Sequence, residues 1–329
     1  MAGWKDIIGH KDVIRYMEQT VANKIPSHAY IISGAAGSGK TLLSKTFAMA
    51  LECQGEDVKP CTKCPSCKKA MTNNHPDIVF VRHEKPKTIS VDEIREQVVD
   101  DMGIKPYIGP YKIYIIEEAE KMTEQAQNAL LKTLEEPPEY GVILLTTVNP
   151  EALLATIKSR CILLKLRNLK DPIIRRYLEE IMEVDEDKAN LCAAFAQGSL
   201  GKAIQLAESS HFYDIRMDAV GLLTHIEDMD VPEVIEKIKQ INSYRLDIDD
   251  YLDIIAVWYR DVLMIKATND VNNVIFKDEQ RFLKEKAKKS SYEGIELILE
   301  AISKARERLK ANVNFDLVIE LLLLTIKEN

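Results

Sequence analysis

This sequence has no apolar run long enough to cross a membrane. Its most apolar stretch, Leu317 to Ile326, is ten residues long and contains Glu320. A spanning helix needs about twice that length. A basic and apolar leader is also missing, since Met1-Ala-Gly-Trp-Lys is too polar for a secretory signal. No internal repeat and no low-complexity linker interrupts the chain, so it reads as folded throughout. Nor is there an excess of positive charge. With 44 Lys and Arg against 52 Asp and Glu, the net charge is -8. A chain that gripped nucleic acid alone through its phosphates would usually be basic, so any such contact should be local or shared with other chains. The expectation is a cytoplasmic protein. Its 46% apolar and 29% charged residues suit a globular fold, and 329 residues suit two or three domains. In a reducing compartment the six cysteines need an explanation other than disulfides.

Short apolar runs alternate with helical patterns up to about residue 166. Strands are predicted at Ala29–Ser33, Asp77–Val81, Lys112–Ile116, Val142–Thr147 and Cys161–Leu166. They are short and rich in β-branched residues, and helices separate them. That pattern predicts a parallel five-stranded sheet with helices on both faces. Ligands of such sheets sit at the carboxyl ends of the strands. Beyond Leu166 only helical patterns remain. Pro172–Met182, Ala189–Ala196 and Lys202–Glu208 form a small unit broken by Gln197-Gly-Ser-Leu-Gly201. Longer apolar stripes follow at Tyr251–Ile265, Ile295–Leu309 and Phe315–Ile326. Such stripes are ordinarily core. The run Leu321-Leu-Leu-Leu324 is too broad for one face and suggests a subunit contact. The fold class is α/β plus all-α.

Gly34-Ala-Ala-Gly-Ser-Gly-Lys-Thr41 fits the pattern G-x4-G-K-[ST] without a mismatch, directly between a predicted strand and a predicted helix. Gly34, Gly37 and Gly39 permit close backbone approach. The N–H groups of the loop, including Ser38, can face phosphate oxygens. Lys40 adds charge near the outer phosphates, and Thr41 can hold Mg2+ through its hydroxyl. The third strand runs into Glu117-Glu118-Ala-Glu120. Glu117 stands where a carboxylate holds Mg2+, and Glu118 where a second one orients the attacking water. Asp is the usual first residue. The extra methylene of Glu117 can displace the metal, so hydrolysis can suffer while binding survives. Thr147, closing the fourth strand, is a candidate contact for the γ-phosphate or the water. Arg160, in Ser159-Arg160-Cys161, is a candidate finger presented to a nucleotide on a neighbouring chain. The plain alternatives are a solvated acidic turn, a packed threonine and a surface ion pair. A chain with both a phosphate loop and such an arginine suits a subunit of an ATP-driven ring.

Cys53, Cys61, Cys64 and Cys67 are spaced C-x7-C-x2-C-x2-C. Four thiolates can enclose a tetrahedral Zn2+ with no open position, a structural site. An iron-sulfur cluster is the competing reading. Cys161 and Cys192 read as packed thiols.

Together these residues resemble a family. Trp4-Lys-Asp-Ile-Ile-Gly-His10, Ser27-His-Ala-Tyr30, the phosphate loop, the cysteines, Asn128-Ala-Leu-Leu-Lys-Thr-Leu-Glu-Glu-Pro-Pro138 and Ser159-Arg-Cys161 look like the bacterial clamp-loader subunits of DNA polymerase III. The likeness covers residues 1 to about 208 well. Two branches share these marks, the gamma/tau motor and delta prime. Pro150 to Cys161 is similar to the delta-prime version. Glu117 departs from the motor's Asp, and Gly201 stands where motors usually carry a nucleotide-sensing arginine. The intact phosphate loop points the other way, because delta prime often has a degenerate one. The resemblance implies an AAA+ nucleotide-binding domain over 1–166 carrying the cysteine insert 53–67. A small helical lid would follow over 167–208, and a helical collar over 209–329. It further implies ATP, Mg2+ and Zn2+ as cofactors, and gamma/tau and delta subunits as partners in a hetero-pentamer. That assembly loads the sliding β clamp on primed DNA in replication. The chain would belong to a DNA-directed DNA polymerase (nucleotidyltransferase) holoenzyme without carrying a polymerase site. Whether it hydrolyses ATP, weakly or as a gamma/tau-like motor, stays open at this point.

Overall fold

The structure, a computed structural model, describes residues 3–56, 58–271 and 274–329; Met1 and Ala2 of the polar start lie outside them. The chain divides into two compact units. One is Met1–Ile173 with Gly198–Lys202, the other Ile174–Gln197 with Ala203–Asn329. The helices in chain order are α1 Lys11–Asn23, α2 Lys40–Leu51, α3 Pro65–Met71, α4 Val91–Ile94, α5 Glu124–Glu135, α6 Ala155–Lys158, α7 Asp171–Glu180 and α8 Glu186–Ala196. They continue as α9 Leu200–Glu208, α10 Ser210–His225, α11 Val231–Asn242, α12 Ile248–Thr268, α13 Gln280–Lys289, α14 Tyr292–Lys310 and α15 Phe315–Glu328.

The first unit is built on five parallel strands, β1 Ala29–Ser33, β2 Ile78–Phe80, β3 Lys112–Ile116, β4 Gly141–Thr147 and β5 Ile162–Lys165. Their order across the sheet is β2-β3-β4-β1-β5. Every residue of β1, β3 and β4 is buried, which is why these runs are apolar at successive positions instead of alternating. Side chains leave a strand on opposite faces in turn. Tyr30 and Ile32 thus join one core with Met17, Leu43 and Phe47, while Ile31 joins another with Ile116, Leu130 and Leu145. The two edge strands are shorter than expected. β2 proper starts after Asp77, although the Asp77 carbonyl still accepts the Ile113 N–H at 2.8 Å; its carboxylate serves a loop. On β5 the outer side is open, and Leu163 is 53% exposed. Lys112 is buried, and its Nζ lies 2.8 Å from an Asp101 carboxylate oxygen. A lysine is tolerated there because it is paired.

The second unit is entirely helical among its described residues. The stripe expected over Tyr251–Ile265 is the buried face of α12, which carries Tyr251, Trp258 and Tyr259. The leucine run at 321–324 divides evenly. Leu322 and Leu323 are buried, whereas Leu321 and Leu324 point outward in line with Leu317. Among the described residues no helix is long and apolar enough to cross a membrane.

Candidate nucleotide site and cysteine centre

β1 delivers the chain to the phosphate loop at its carboxyl end. Gly34 donates its N–H to the Thr147 carbonyl at 3.2 Å, joining the loop to the end of β4. A Cβ at Gly34 would stand 2.8 Å from Ser38 Oγ and 2.9 Å from Leu166 Cβ. Gly37 and Gly39 have φ of +70° and +90°, where any side chain is strained. The loop then turns into α2. The free N–H groups at that helix start, with its dipole, favour an anion. Lys40 lies across the loop, donating from Nζ to the Gly34 and Ala35 carbonyls, each at 2.8 Å. Burial lowers its pKa, and the carboxylates of Glu120 and then Glu118 oppose that shift. Thr41 is exposed at the first turn of α2. His10 contacts the Ser38 carbonyl, and burial lowers its pKa.

The acidic turn after β3 is arranged differently from its order in sequence. Glu118 takes a left-handed backbone, φ 51°, and pairs with Lys121 at 2.6 Å. Glu117 Oε1 and Glu120 Oε2 are both buried without a hydrogen-bond partner. A hard divalent cation takes oxygen ligands. Two orphan carboxylate oxygens beside a lysine-bearing phosphate loop fit Mg2+, with Thr41 as the hydroxyl donor. Glu120 is the residue that sequence reasoning passed over. The 3-10 turn Ala119–Lys121 brings it to the same side as Lys40, and its position three after Glu117 was the available signal. Thr147 is fully buried, and its Oγ1 accepts the Asn149 N–H at 3.0 Å.

Arg160 lies elsewhere. It precedes β5, and Ile162 pairs with Tyr30 near the start of β1. Four residues of strand, roughly 13 Å, separate that level from Gly34. Arg160 is therefore at the amino edge of the sheet and the phosphate loop at the carboxyl edge. Its guanidinium is held by Glu135 at 2.9 Å and by the Thr156 carbonyl at 2.9 Å. Glu135 comes from the Asn128–Pro138 segment and had no role assigned from sequence.

The four cysteines converge, with all four sulfurs within 4.8 Å of one another, and none is in a disulfide. Cys61 and Cys67 sulfurs are 4.0 Å apart, close to the ~3.8 Å that a tetrahedron with 2.3 Å Zn–S bonds gives. Backbone N–H groups face the sulfurs. Cys53 accepts from Cys61 and Gly55, Cys61 from Cys64, and Cys64 from Cys67. The N–H groups of Lys63 and Cys64 draw the Cys61 thiol down to about 6, while burial raises Cys53 and Cys67. A cation among them would hold the buried pair ionised.

Behind this cluster Glu52, His75 and Asp77 also converge, all buried. Their atoms are largely committed to protein partners. Asp77 accepts N–H bonds from Tyr107, Ile108 and Gly109, Glu52 Oε1 accepts from Tyr111, and both ring nitrogens of His75 are engaged. Asp77 and Glu52 pin the 107–111 loop that leads into β3, and His75 bonds Ser66 and the Asp77 N–H behind them. Cys161 and Cys192 are packed thiols raised by burial, as expected.

With this geometry in view, two family models match the chain: "DNA polymerase III, delta subunit" over residues 9–170 and "DNA polymerase III, delta subunit, C terminal" over residues 223–328. The delta' subunit of DNA polymerase III from Bacillus subtilis is 30% identical over 328 residues, covering 96% of this chain and 95% of its own length. The tau subunit of the same organism is 27% identical over 296 residues, covering 83% of this chain. The chain spans 52% of the length of that tau subunit. Among solved structures, a gamma subunit-related protein of DNA polymerase III from Thermotoga maritima aligns with a TM-score of 0.47 and 20% identity, over 95% of this chain and 98% of its own.

Proposed function

This chain belongs to the DNA polymerase III family that includes the delta' and tau/gamma subunits, and from that premise we propose that it is a delta-prime-like subunit of a cytoplasmic clamp loader. In this reading it binds Mg·ATP and presents Arg160 to ATP held by a neighbouring motor subunit. Its partners are gamma/tau and delta subunits, the sliding β clamp and, through the assembly, primed DNA. Residues 1–166 form the AAA+ domain, 167–208 the lid and 209–329 the collar. Lys40 and the loop N–H groups hold the phosphates. Thr41 and Glu117 hold Mg2+, and Zn2+ fills the cysteine cluster as a structural ion. The metal would polarise the phosphates. Glu118 and Thr147 would line the water side, although Glu118 is turned toward Lys121 here.

The observation that carries this reading is the placement of Arg160 at the sheet edge opposite the phosphate loop. An arginine there is too far away to serve the chain's own nucleotide and would reach another's by giving up its bond to Glu135. Arg160→Ala in the reconstituted loader should lower ATP turnover at the affected site by at least about tenfold, since a trans arginine is worth orders of magnitude. Assembly should be unaffected. Unchanged turnover would count against the finger.

The second reading is a gamma/tau-like motor, favoured by the intact phosphate loop. Against it stands Gly201, where an added Cβ would lie 2.8 Å from the Gly37 carbonyl oxygen. No sensing arginine fits that position.

A further inference from the structure

The phosphate loop is bonded from outside by a second segment of the first unit. Gly198 is anchored first. It has φ +87°, its carbonyl accepts the Leu169 N–H at 2.9 Å, and a Cβ there would stand 2.5 Å from Asn168 Cβ. Ser199, 5% exposed, then donates its hydroxyl to the Ala36 carbonyl at 2.8 Å. Gly201 donates its N–H to the Gly37 carbonyl at 2.9 Å. The two backbones touch. A Cβ on Gly37 would lie 2.6 Å from Ser199 Oγ and 3.1 Å from Lys202 N, and one on Gly201 would lie 2.9 Å from Gly37 Cα. Glycine is thus required on both sides of the same contact, at positions far apart in sequence.

The chemistry of the bonds decides what the contact does. Ser199 and Gly201 use carbonyl oxygens of the loop. Phosphate binding uses N–H groups of the loop. The two sets do not compete, so the segment does not block a nucleotide. It braces the loop before one arrives. A ligand shifts a protein between two states only as far as it binds them differently. A loop already braced in its receiving shape offers a nucleotide no second state to select.

We propose that Ser199 and Gly201 latch the phosphate loop, so that this site takes a nucleoside triphosphate as a static ligand and does not signal its arrival. Ser199 and Gly201 are positioning residues in this account, and the account rests on the ATP-binding reading above. The test is hydrogen exchange on the full chain with and without Mg·ATPγS, following peptides over 34–41 and 198–209. Fluorescent-nucleotide binding is measured on the same samples. In the wild type, residues 198–209 exchange at the same rate in both states. In Ser199→Ala and Gly201→Ala, exchange of the amide at position 201 in the nucleotide-free protein rises by about tenfold or more. It then slows again when nucleotide binds. The proposal is overturned if the wild-type segment becomes strongly protected on nucleotide binding, or if Ser199→Ala and Gly201→Ala both leave exchange unchanged. Wild-type protein that binds no nucleotide removes the ATP reading, while the nucleotide-free comparison still decides whether the latch exists. Gly201→Ala can fail to fold, and Ser199→Ala, which only removes a hydroxyl, then carries that comparison.

Discussion

Lys40 illustrates how one side chain is set for a ligand. It neutralises no carboxylate directly and rests instead on the Gly34 and Ala35 carbonyls. Those bonds are readily exchanged for bonds to phosphate, in which the acceptor as well as the donor is charged. Lys40→Ala should weaken ATP binding by roughly 100-fold, the worth of one or two charge-assisted bonds, with little change in thermal stability. Equilibrium titration checks this. Glu120→Gln should weaken Mg2+-dependent binding more than Glu118→Gln, because Glu120 faces Lys40 with an unpartnered oxygen while Glu118 is paired with Lys121. His10 gives a pH effect of definite sign. Burial lowers its folded pKa below the ordinary 6.5, so the unfolded chain gains a proton first as pH falls. Its contribution to stability is complete above that range and is lost on acidification through 6.5 and below. Thermal melts should therefore fall more steeply from pH 7 to 5.5 in the wild type than in His10→Gln.

At the scale of elements, the helix α3 and the cysteines form one device. Cys64 caps α3 by accepting the Cys67 N–H, and Pro65 follows at its first position. The insert is short and its own hydrophobic content is small, so in the zinc reading a metal would supply much of its folding energy. Chelation, or Cys64→Ser, should melt the insert and release one zinc per chain in a colorimetric assay. The adjoining Asp77 holds three N–H groups of the 107–111 loop. Stranding them in Asp77→Ala should cost about 3 kcal/mol or more, measured by denaturant unfolding. Much of this architecture was legible locally. β1 and β3 begin and end where their apolar runs do, because central parallel strands are apolar on both faces. The glycine loop and the cysteine spacing announced themselves. Three features did not. The edge strands β2 and β5, which pair on one side alone, came out shorter, although Asp77, Val81 and Leu166 still bond the neighbouring strands. The pairing of Glu118 with Lys121 depends on a left-handed residue that no periodicity shows. The contact of Gly37 with Gly201 joins positions 164 apart, and nothing local encodes it.

For the whole molecule, the proposed reading would make the first unit carry both ends of a relay between subunits. A phosphate loop stands at one edge of its sheet and Arg160 at the other. An acidic chain with these two faces suits a member of a ring that shares its DNA surface with neighbours. The measurement that bears most directly on this account is ATP turnover by the reconstituted loader with clamp and primed DNA. Lys40→Ala and Arg160→Ala are introduced in this subunit alone. The account predicts that Lys40→Ala leaves turnover within about twofold, because a braced site does not fire, and that Arg160→Ala lowers it by about tenfold or more. A large loss with Lys40→Ala and none with Arg160→Ala, in complexes that still assemble, would contradict it and identify the chain as a motor.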